Sequence, residues 1–361
     1  MTWDSRRTEQ VTVAVGMSGG VDSAVAAALL ADAGWKVIGL TAIMTRERSR
    51  CCSDESVGTA REVCAQLGIR HELVDVHDVF ESRIIGSFIS EYLAGRTPSP
   101  CALCNPLIKF GLLMDRAEQL GAGCVATGHY ARVVHAADGT AHLLRGVDAR
   151  KDQSYFLALL SQDQLRRSLF PLGGMTKREV SRIAADKNLA AHKSKESQEV
   201  CFVPDGDHGS WIDVRSLDTR GPGDIVNARG EKIGTHRGIH RYTVGQRRGV
   251  GVATGSPVYV CGIDAAANRV IVGSRDAALS SGMTLGEVRW ISGRAPGVEF
   301  ESACQIRFNH APAPCAVALS QDGRAQVRFA EPQFAVAPGQ LAAFCSDDEV
   351  LGAGWIEAAG R

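Results

Sequence analysis

Residues 1–205 alternate between short apolar runs and longer amphipathic segments, and this alternation limits the possible folds more than any other feature. The runs 11–16 (VTVAVG) and 36–44 (KVIGLTAIM) are typical of buried strands. The segments 22–34 and 53–68 have the pattern of helices, each of which ends at a glycine. Strands that alternate with helices predict an α/β domain, in which helices cover a parallel sheet.

The pattern changes after residue 205. Short alternating runs such as SPVYVCGID, NRVIVGS and AQVRFAEPQFAV are separated by glycine, proline, asparagine and aspartate. This arrangement is typical of small antiparallel barrels or sandwiches, and a break near Ser280–Thr284 divides it in two. We therefore expect the α/β domain at 1–205 to be followed by two small β-barrel-like domains, at 206–282 and 283–361.

The composition excludes several classes of protein. The chain has 361 residues, 45% of them hydrophobic, and its 40 basic and 40 acidic side chains cancel. Any binding of nucleic acid must therefore come from local patches rather than from an overall basic charge. No apolar run approaches the roughly 18 residues of a membrane span, and the polar start MTWDSRRTEQ predicts no signal peptide. Eleven irregularly spaced cysteines then favour reduced thiols and a cytoplasmic protein without membrane contact.

The segment GMSGGVDS joins the first predicted strand to the first predicted helix. Its glycines let the backbone approach a ligand closely, and their N–H groups with the start of the helix suit an anion. No lysine follows the glycines, so this is neither the GxxxxGK[ST] loop nor GxGxxG. From these residues alone, a plain tight turn remains the alternative. The candidate nucleotide-binding residues are Gly16, Met17, Ser18, Gly19, Gly20, Val21, Asp22 and Ser23.

The full string SGGVDS, placed after the first strand, resembles the PP-loop of the ATP pyrophosphatase superfamily. The resemblance implies that ATP is split between its α and β phosphates and that an oxygen is adenylylated to make it a leaving group. It does not identify the substrate, because synthetases of small molecules and several tRNA-modifying enzymes share the loop.

Three cysteines stand in settings where a thiol can react. Cys101 and Cys104 form a CxxC within GRTPSPCALCN, which its prolines and glycine predict to be a loop. A lone CxxC is typical of half a zinc site or of a redox pair, and no second CxxC completes a zinc site. Cys201 lies in SKESQEVCFVP, where lysines precede a strand-like EVCFV. Lysines favour a reactive thiolate, although a structural thiol is the simpler interpretation of Cys201 alone.

Six motifs, in order along the chain, are similar to those of the bacterial tRNA-specific 2-thiouridylases. TPSPCALCN resembles the TPNPDxxCN signature, which places Cys104 on the family's first catalytic cysteine. SQEVCFVP resembles the second-cysteine motif, which places Cys201 on the persulfide-carrying position. The other four matching segments are GHYAR (128–132), KDQSYFL (151–157), LFPLGGMTKREV (169–180) and YTVGQRRG (242–249).

This resemblance implies a complete reaction. ATP would bind the SGGVDS loop with Met44 and Gly128 lining the adenosine, and Mg²⁺ would bind its phosphates. The wobble uridine of tRNAs for Lys, Glu and Gln would be adenylylated on its 2-oxygen. A cysteine desulfurase or a sulfur-carrier protein would load a persulfide on Cys201, and sulfur would replace the activated oxygen. Attack by the persulfide and attack by hydrosulfide released by Cys104 stay open, and a transient Cys104–Cys201 disulfide would remain.

The same resemblance assigns RNA contacts and shows one departure. Cys101 stands where the family commonly has aspartate, so the acid–base role of that residue is in question here. An alternative hypothesis is that Cys101, Cys104 and Cys201 hold an iron–sulfur cluster. The basic helix around Lys177 and the RRG of 247–249 predict either phosphate contacts or solvated faces. The residues expected to contact tRNA are Ser99, Pro100, Cys101, Lys151, Asp152, Gln153, Arg307 and Phe308.

Three other functions remain as alternatives. Another PP-loop enzyme could adenylylate a small molecule, but it would have no use for the two motif cysteines. The chain could instead be a nucleic-acid-binding module whose nucleotide loop is vestigial, and tRNA would then not stimulate ATP turnover. A zinc-structured β protein would contain the metal.

Overall fold

The computed structural model describes residues 11–46, 53–193, 200–204, 206–252 and 255–360. The N-terminal part is built on five parallel strands in the order β3-β2-β1-β4-β7, with helices around them. The prediction of a parallel α/β domain is therefore confirmed. These strands are β1 (Thr12–Gly16), β2 (Lys36–Ile43), β3 (Arg70–Asp75), β4 (Ala122–Ala126) and β7 (Ser168–Leu169).

Four of the described helices begin at a side chain that caps them. The Ser53 hydroxyl accepts a hydrogen bond from the Ser56 N–H at 3.1 Å and so caps the second helix. Thr176 and Glu179 form a reciprocal capping box at the start of the helix Lys177–Asp186. The helices are α1 (Val21–Asp32), α2 (Asp54–Gln66), α3 (His77–Val79), α4 (Gly86–Leu93), α5 (Pro100–Cys104), α6 (Leu113–Gln119), α7 (Gln162–Arg166), α8 (Lys177–Asp186) and α9 (His208–Arg215).

Two sequence-based assignments of secondary structure were wrong. The chain is helical from Pro100 onward and not a loop through residue 105, because proline at the first turn of a helix removes only an N–H that would lack a partner. A π-helical segment, Asn105–Leu112, joins α5 to α6, and another, Phe80–Ile85, joins α3 to α4. Cys201 lies in a turn and not at the start of a strand.

The C-terminal part is a closed antiparallel barrel of six strands, in which β12 pairs with both β15 and β17. A hairpin of the N-terminal part extends it, because Leu143 and Leu144 pair with Val350 and Glu349. The predicted division at 282/283 falls within β12. The barrel strands are β12 (Leu279–Trp290), β13 (Glu299–Gln305), β14 (Ala313–Leu319), β15 (Ala325–Phe334), β16 (Leu341–Ser346) and β17 (Glu349–Gly360), and the hairpin is β5 (Ala131–His135) and β6 (Ala141–Arg145).

The central part is a four-stranded sheet in the order β10-β11-β8-β9. The strands β8 and β11 are parallel and the outer pairs are antiparallel. The strands are β8 (Gly223–Val226), β9 (Lys232–His236), β10 (Tyr259–Asp264) and β11 (Arg269–Gly273). None of the described helices is long and apolar enough to cross a membrane.

Two clusters of buried apolar residues pack against opposite sides of the parallel sheet. One cluster buries the alanine-rich face of α1 (Ala24 to Ala28) together with Val13 and Val15 of β1. The other fills the opposite side and contains the helices at 77–119, part of the β5–β6 hairpin and several residues of the barrel. Because the barrel contributes to this second cluster, the N-terminal and C-terminal parts share a core.

Candidate functional site

The SGGVDS loop forms a concavity at the carboxyl end of β1. Its hydroxyls are linked, since the Ser18 and Ser23 oxygens lie 3.2 Å apart and the Ser23 hydroxyl donates to the Gly20 carbonyl at 3.0 Å. Gly20 is the N-cap of α1 but makes no side-chain cap, so the helix N-terminus carries unsatisfied N–H groups. Parallel sheets bind ligands outside the carboxyl ends of their strands, and a helix N-terminus there favours an anion.

Gly19 is required by the shape of this loop. Its φ is +75°, and a Cβ at this position would overlap the Ser56 carbonyl. The loop is also held by the strands β2 and β3. The Thr41 hydroxyl of β2 donates to the Met17 carbonyl at 2.8 Å and accepts from His71 Nε2 of β3 at 2.8 Å. The loop is therefore positioned before any ligand arrives.

A lysine from the far end of the domain lies at the loop. Lys177 Nζ is 2.7 Å from Asp22 Oδ1, and the Tyr130 hydroxyl donates to the same oxygen at 2.8 Å. The Lys177 side chain is 22% exposed, so this cation faces the loop and not an open surface. The helix around Lys177 was predicted to offer either phosphate contacts or a solvated face, and in the structure this lysine lies at the SGGVDS loop.

Of the two residues expected to line adenosine, Gly128 lies against the same loop. A Cβ on Gly128 would lie 2.7 Å from the Asp22 backbone carbon and 2.8 Å from the Ser23 nitrogen. Only glycine therefore allows this segment to pass the first turn of α1. Met44 follows β2 and is buried in the core cluster that also holds Cys104.

The two motif cysteines belong to segments that pack on one scaffold. Cys104, at the end of α5, is 7% exposed, and Cys201 is half-buried; both contact the same apolar cluster. The helix α5 packs on the π segment 80–85, and the Phe202 ring, next to Cys201, meets the Phe80 ring at 5.7 Å. Both cysteines are thiols in this structure. Residues 194–199, which hold Lys195, lie outside the described residues.

The C-terminal barrel holds the segment that leads into α5. The Gln340 side-chain amide donates to the Thr97 and Pro98 carbonyls at 3.1 and 2.9 Å, and the Thr97 N–H donates to the Pro338 carbonyl at 2.8 Å. The buried Ser99 contacts Tyr155, whose hydroxyl in turn donates to the barrel. The helix α5, which ends at Cys104, therefore begins from a segment whose backbone is held by the C-terminal barrel.

The residues expected to contact tRNA have diverse surroundings. The Asp152 carboxylate is 4% exposed and binds Arg145 at 2.8 Å together with two backbone N–H groups, so it stabilises a turn. Gln153 accepts from the Tyr130 N–H at 3.1 Å, and Lys151 is half-exposed next to both. Contact of Asp152 with RNA through its carboxylate does not fit this burial.

The two candidate RNA contacts in the barrel, Arg307 and Phe308, have different surroundings. Arg307 donates to the Phe334 carbonyl at 2.8 Å and is half-buried, so much of its donor capacity serves the protein. Phe308 is exposed and its ring lies 4.7 Å from that of Phe156, which follows Gln153 in the chain. The aromatic pair therefore joins the two segments expected to contact tRNA.

The described residues contain no group of three or more His, Cys, Asp or Glu side chains arranged to hold a metal ion. The thiols of Cys101, Cys104 and Cys201 accordingly do not fit an iron–sulfur cluster as they stand. A magnesium ion that arrives with a nucleotide has different needs, because it keeps waters and phosphate oxygens and takes only one or two protein carboxylates. Asp22 fits that requirement.

Family models match all three parts of the chain. Residues 11–205 match a tRNA methyl transferase HUP domain, 214–274 a PRC-barrel domain of the same family, and 280–356 an aminomethyltransferase β-barrel domain. The tRNA-specific 2-thiouridylase MnmA of Geotalea uraniireducens (strain Rf4) is 46% identical, over 98% of this chain and 96% of that protein. The protein of the same name from Pelobacter propionicus is 47% identical, over 96% of this chain and 98% of that protein.

The chain belongs to this 2-thiouridylase family. Among solved structures, the U34-tRNA thiolase NcsA from Methanococcus maripaludis with its [4Fe-4S] cluster matches with a TM-score of 0.37 and 19% identity, over 54% of this chain and 62% of that one. So weak a likeness carries no conclusion about the chain.

Several residues of this 2-thiouridylase-family site are absent from the sequence-based prediction. Tyr130 lies in the GHYAR motif, but nothing local to it indicates that it binds Asp22. Gln340 lies in an ordinary turn of the barrel. Lys109, five residues after Cys104, follows a helical pattern in which a lysine is ordinarily a solvated residue. Lys177 lies in the LFPLGGMTKREV motif, but the motif did not indicate its contact with Asp22.

Proposed function

We propose that this chain is a tRNA 2-thiouridylase that uses ATP to replace the 2-oxygen of a uridine with sulfur. The observation that carries this proposal is the presence, in one domain, of a preformed anion loop and the segments of Cys104 and Cys201. A synthetase that adenylylates small molecules would need the loop alone.

The first half of the reaction rests on the loop. Its N–H groups, the hydroxyls of Ser18 and Ser23, and the Lys177 ammonium are suited to the triphosphate. Asp22 is the carboxylate that would hold a Mg²⁺ ion bound with ATP, and that ion would supply neutralisation of the phosphate charge. The uridine 2-oxygen then attacks the α phosphorus, pyrophosphate leaves, and the oxygen becomes part of a good leaving group.

The second half rests on the cysteines. A cysteine desulfurase or a sulfur carrier loads Cys201 with a persulfide, whose terminal sulfur attacks C2 as the C2–O bond breaks and AMP leaves. The Cys104 thiolate then attacks Cys201 Sγ, which releases 2-thiouridine and forms a Cys104–Cys201 disulfide. An external dithiol reduces that disulfide before the next turnover.

The RNA surface is proposed from exposed cations and an aromatic pair. Arg247 and Arg248 are exposed on a loop of the central domain. Lys151 and Phe156 belong to the catalytic domain, and Phe308 of the barrel packs against Phe156. Arginine and lysine bind phosphates, and aromatic faces stack on unpaired bases such as those of an anticodon loop. Because this surface includes all three domains, we propose a whole tRNA as substrate and a cytoplasmic site of action.

The test is nucleoside mass spectrometry of tRNA incubated with enzyme, ATP, Mg²⁺ and a persulfide donor. Cys104→Ser and Cys201→Ser should each abolish 2-thiouridine, while Cys261→Ser in the central domain should keep the wild-type yield. A wild-type enzyme that consumes ATP but leaves tRNA unthiolated would refute the proposal. Anaerobic purification with an iron assay separates the cluster hypothesis, since active iron-free protein excludes it.

A further inference from the structure

Lys109 is a half-buried cation that contacts a histidine. It lies in the π segment 105–112, and its Nζ is 3.3 Å from His129 Nε2. Among the residues that the structure describes, no Asp or Glu forms an ion pair with it. Lysines are rarely buried unless their charge is used or compensated, so this one requires an explanation.

The partner of Lys109 is a neutral imidazole. An ammonium can only donate, so His129 Nε2 accepts, and its Nδ1–H therefore donates to the Thr127 hydroxyl at 2.7 Å. His129 is 8% exposed, with its ring near those of Phe110 and Phe170. Burial and the nearby Lys109 charge hold the pKa of His129 well below its usual range. The chain Thr127–His129–Lys109 thus fixes the ammonium in place without neutralising it.

This ammonium lies between the two halves of the proposed site. His129 directly follows Gly128, whose backbone touches the first turn of α1 at the nucleotide loop. On the other side, Lys109 and Cys101 belong to one unbroken helical stretch, residues 100–119. Long side chains of a helix lean toward its N-terminus, so Lys109 leans toward Cys101.

Cys101 does not supply the carboxylate that Lys109 lacks among the described residues. The related family motif has an aspartate at this position, which could neutralise a nearby lysine. Here the residue is an exposed cysteine, which as a thiol carries no charge, unlike an aspartate. An uncharged thiol leaves the ammonium available for an anion of the substrate.

We propose that Lys109, held by His129, is a catalytic cation that stabilises the negative charge of the adenylate phosphate while sulfur displaces AMP. This inference rests on the proposed function. The C–S bond forms as the C2–O bond breaks, and the electron pair passes to the oxygen of departing AMP. Lys109 keeps its proton throughout and supplies a fixed charge, which is worth more in a partly dehydrated site than in water. His129 is a positioning residue.

The test compares turnover with nucleotide affinity. Lys109→Met should lower kcat for thiolation at saturating ATP and tRNA by about 100-fold or more, as for other charge-stabilising donors, with ATP affinity changed less than threefold. Lys109→Arg, which keeps the charge, should retain most of the activity. His129→Leu should lower kcat by about tenfold, because the charge remains but is no longer fixed. Lys232→Met, at an exposed ion pair of the central domain, is the matched control.

Each possible result has a defined meaning. Unchanged kcat in Lys109→Met, or a loss of ATP affinity equal to the loss of kcat, would overturn the inference. If Lys109→Met is misfolded by circular dichroism, equal losses in Lys109→Arg and His129→Leu would overturn it, and a smaller loss in the arginine variant would support it. Wild-type protein that makes no 2-thiouridine refutes the proposed function itself, whatever Lys109 does.

Discussion

Removal of the Gln340 amide should slow thiolation without weakening the fold of either domain. Gln340→Ala deletes two hydrogen bonds, to the Thr97 and Pro98 carbonyls, from the segment that leads into the Cys104 helix. A typical hydrogen bond contributes about 1 kcal/mol net, so the segment loses about 2 kcal/mol of restraint. If all of it is needed at the transition state, kcat falls by at most about 30-fold.

The assay is single-turnover formation of 2-thiouridine with persulfide-loaded enzyme, with the alkylation rate of Cys104 as a second readout. Loosening of the segment should make the buried Cys104 thiol alkylate faster. Gln326→Ala is the matched control, because this exposed glutamine of the same barrel accepts a hydrogen bond from Thr284 and not from the segment at 97–98. Unchanged thiolation together with unchanged alkylation in Gln340→Ala would show that the barrel contact does not position the helix.

Three further perturbations have defined outcomes. Gly19→Ala should abolish ATP binding in an equilibrium assay, because its Cβ would overlap the Ser56 carbonyl, whereas Gly34→Ala, also at positive φ but in open space, should keep it. Lys177→Met should raise KM for ATP by about 10-fold or more, the value of one charge-assisted hydrogen bond, and unchanged KM would exclude it from the phosphate site. Because the pKa of His129 is lowered on folding, the unfolded chain binds more protons below pH 6.5, so stability should fall as pH drops from 7 toward 5. His129→Asn should show a smaller fall in Tm over that range, and an equal fall would contradict the reasoning.

The parts of this site that follow from neighbouring residues were predictable. The loop between β1 and α1 follows from two glycines after a buried strand, and the cap at Ser53 follows from one hydroxyl before a helical pattern. The cysteine assignments depended on motifs, since a CxxC alone left zinc and redox chemistry open. The helix at Pro100 was missed because proline indicates a loop and a first helical turn equally well.

The parts that depend on distant residues were not predictable from one sequence. Lys177 and Asp22 are 155 residues apart, and Gln340 and Pro98 are separated by 242. No periodicity relates such positions, because their contact depends on how the complete sheets pack. Asp152 lies in a motif that indicated contact with tRNA at the surface. Its carboxylate is instead buried, because it binds Arg145 at the end of the strand β6.

The pairing of the β5–β6 hairpin with β17 has a consequence for synthesis of the protein. The strand β17, which pairs with the hairpin, contributes residues 349 and 350. The turn that holds the segment leading into α5 contains residues 338–340. A chain still being translated can fold its nucleotide loop early, because β1, α1 and β2 are local to one another. The helix α5 gains these supports only when residues 338–350 have emerged. Chains that lack this part of the barrel would then be able to hold ATP but not to place Cys104, so that sulfur transfer requires the barrel.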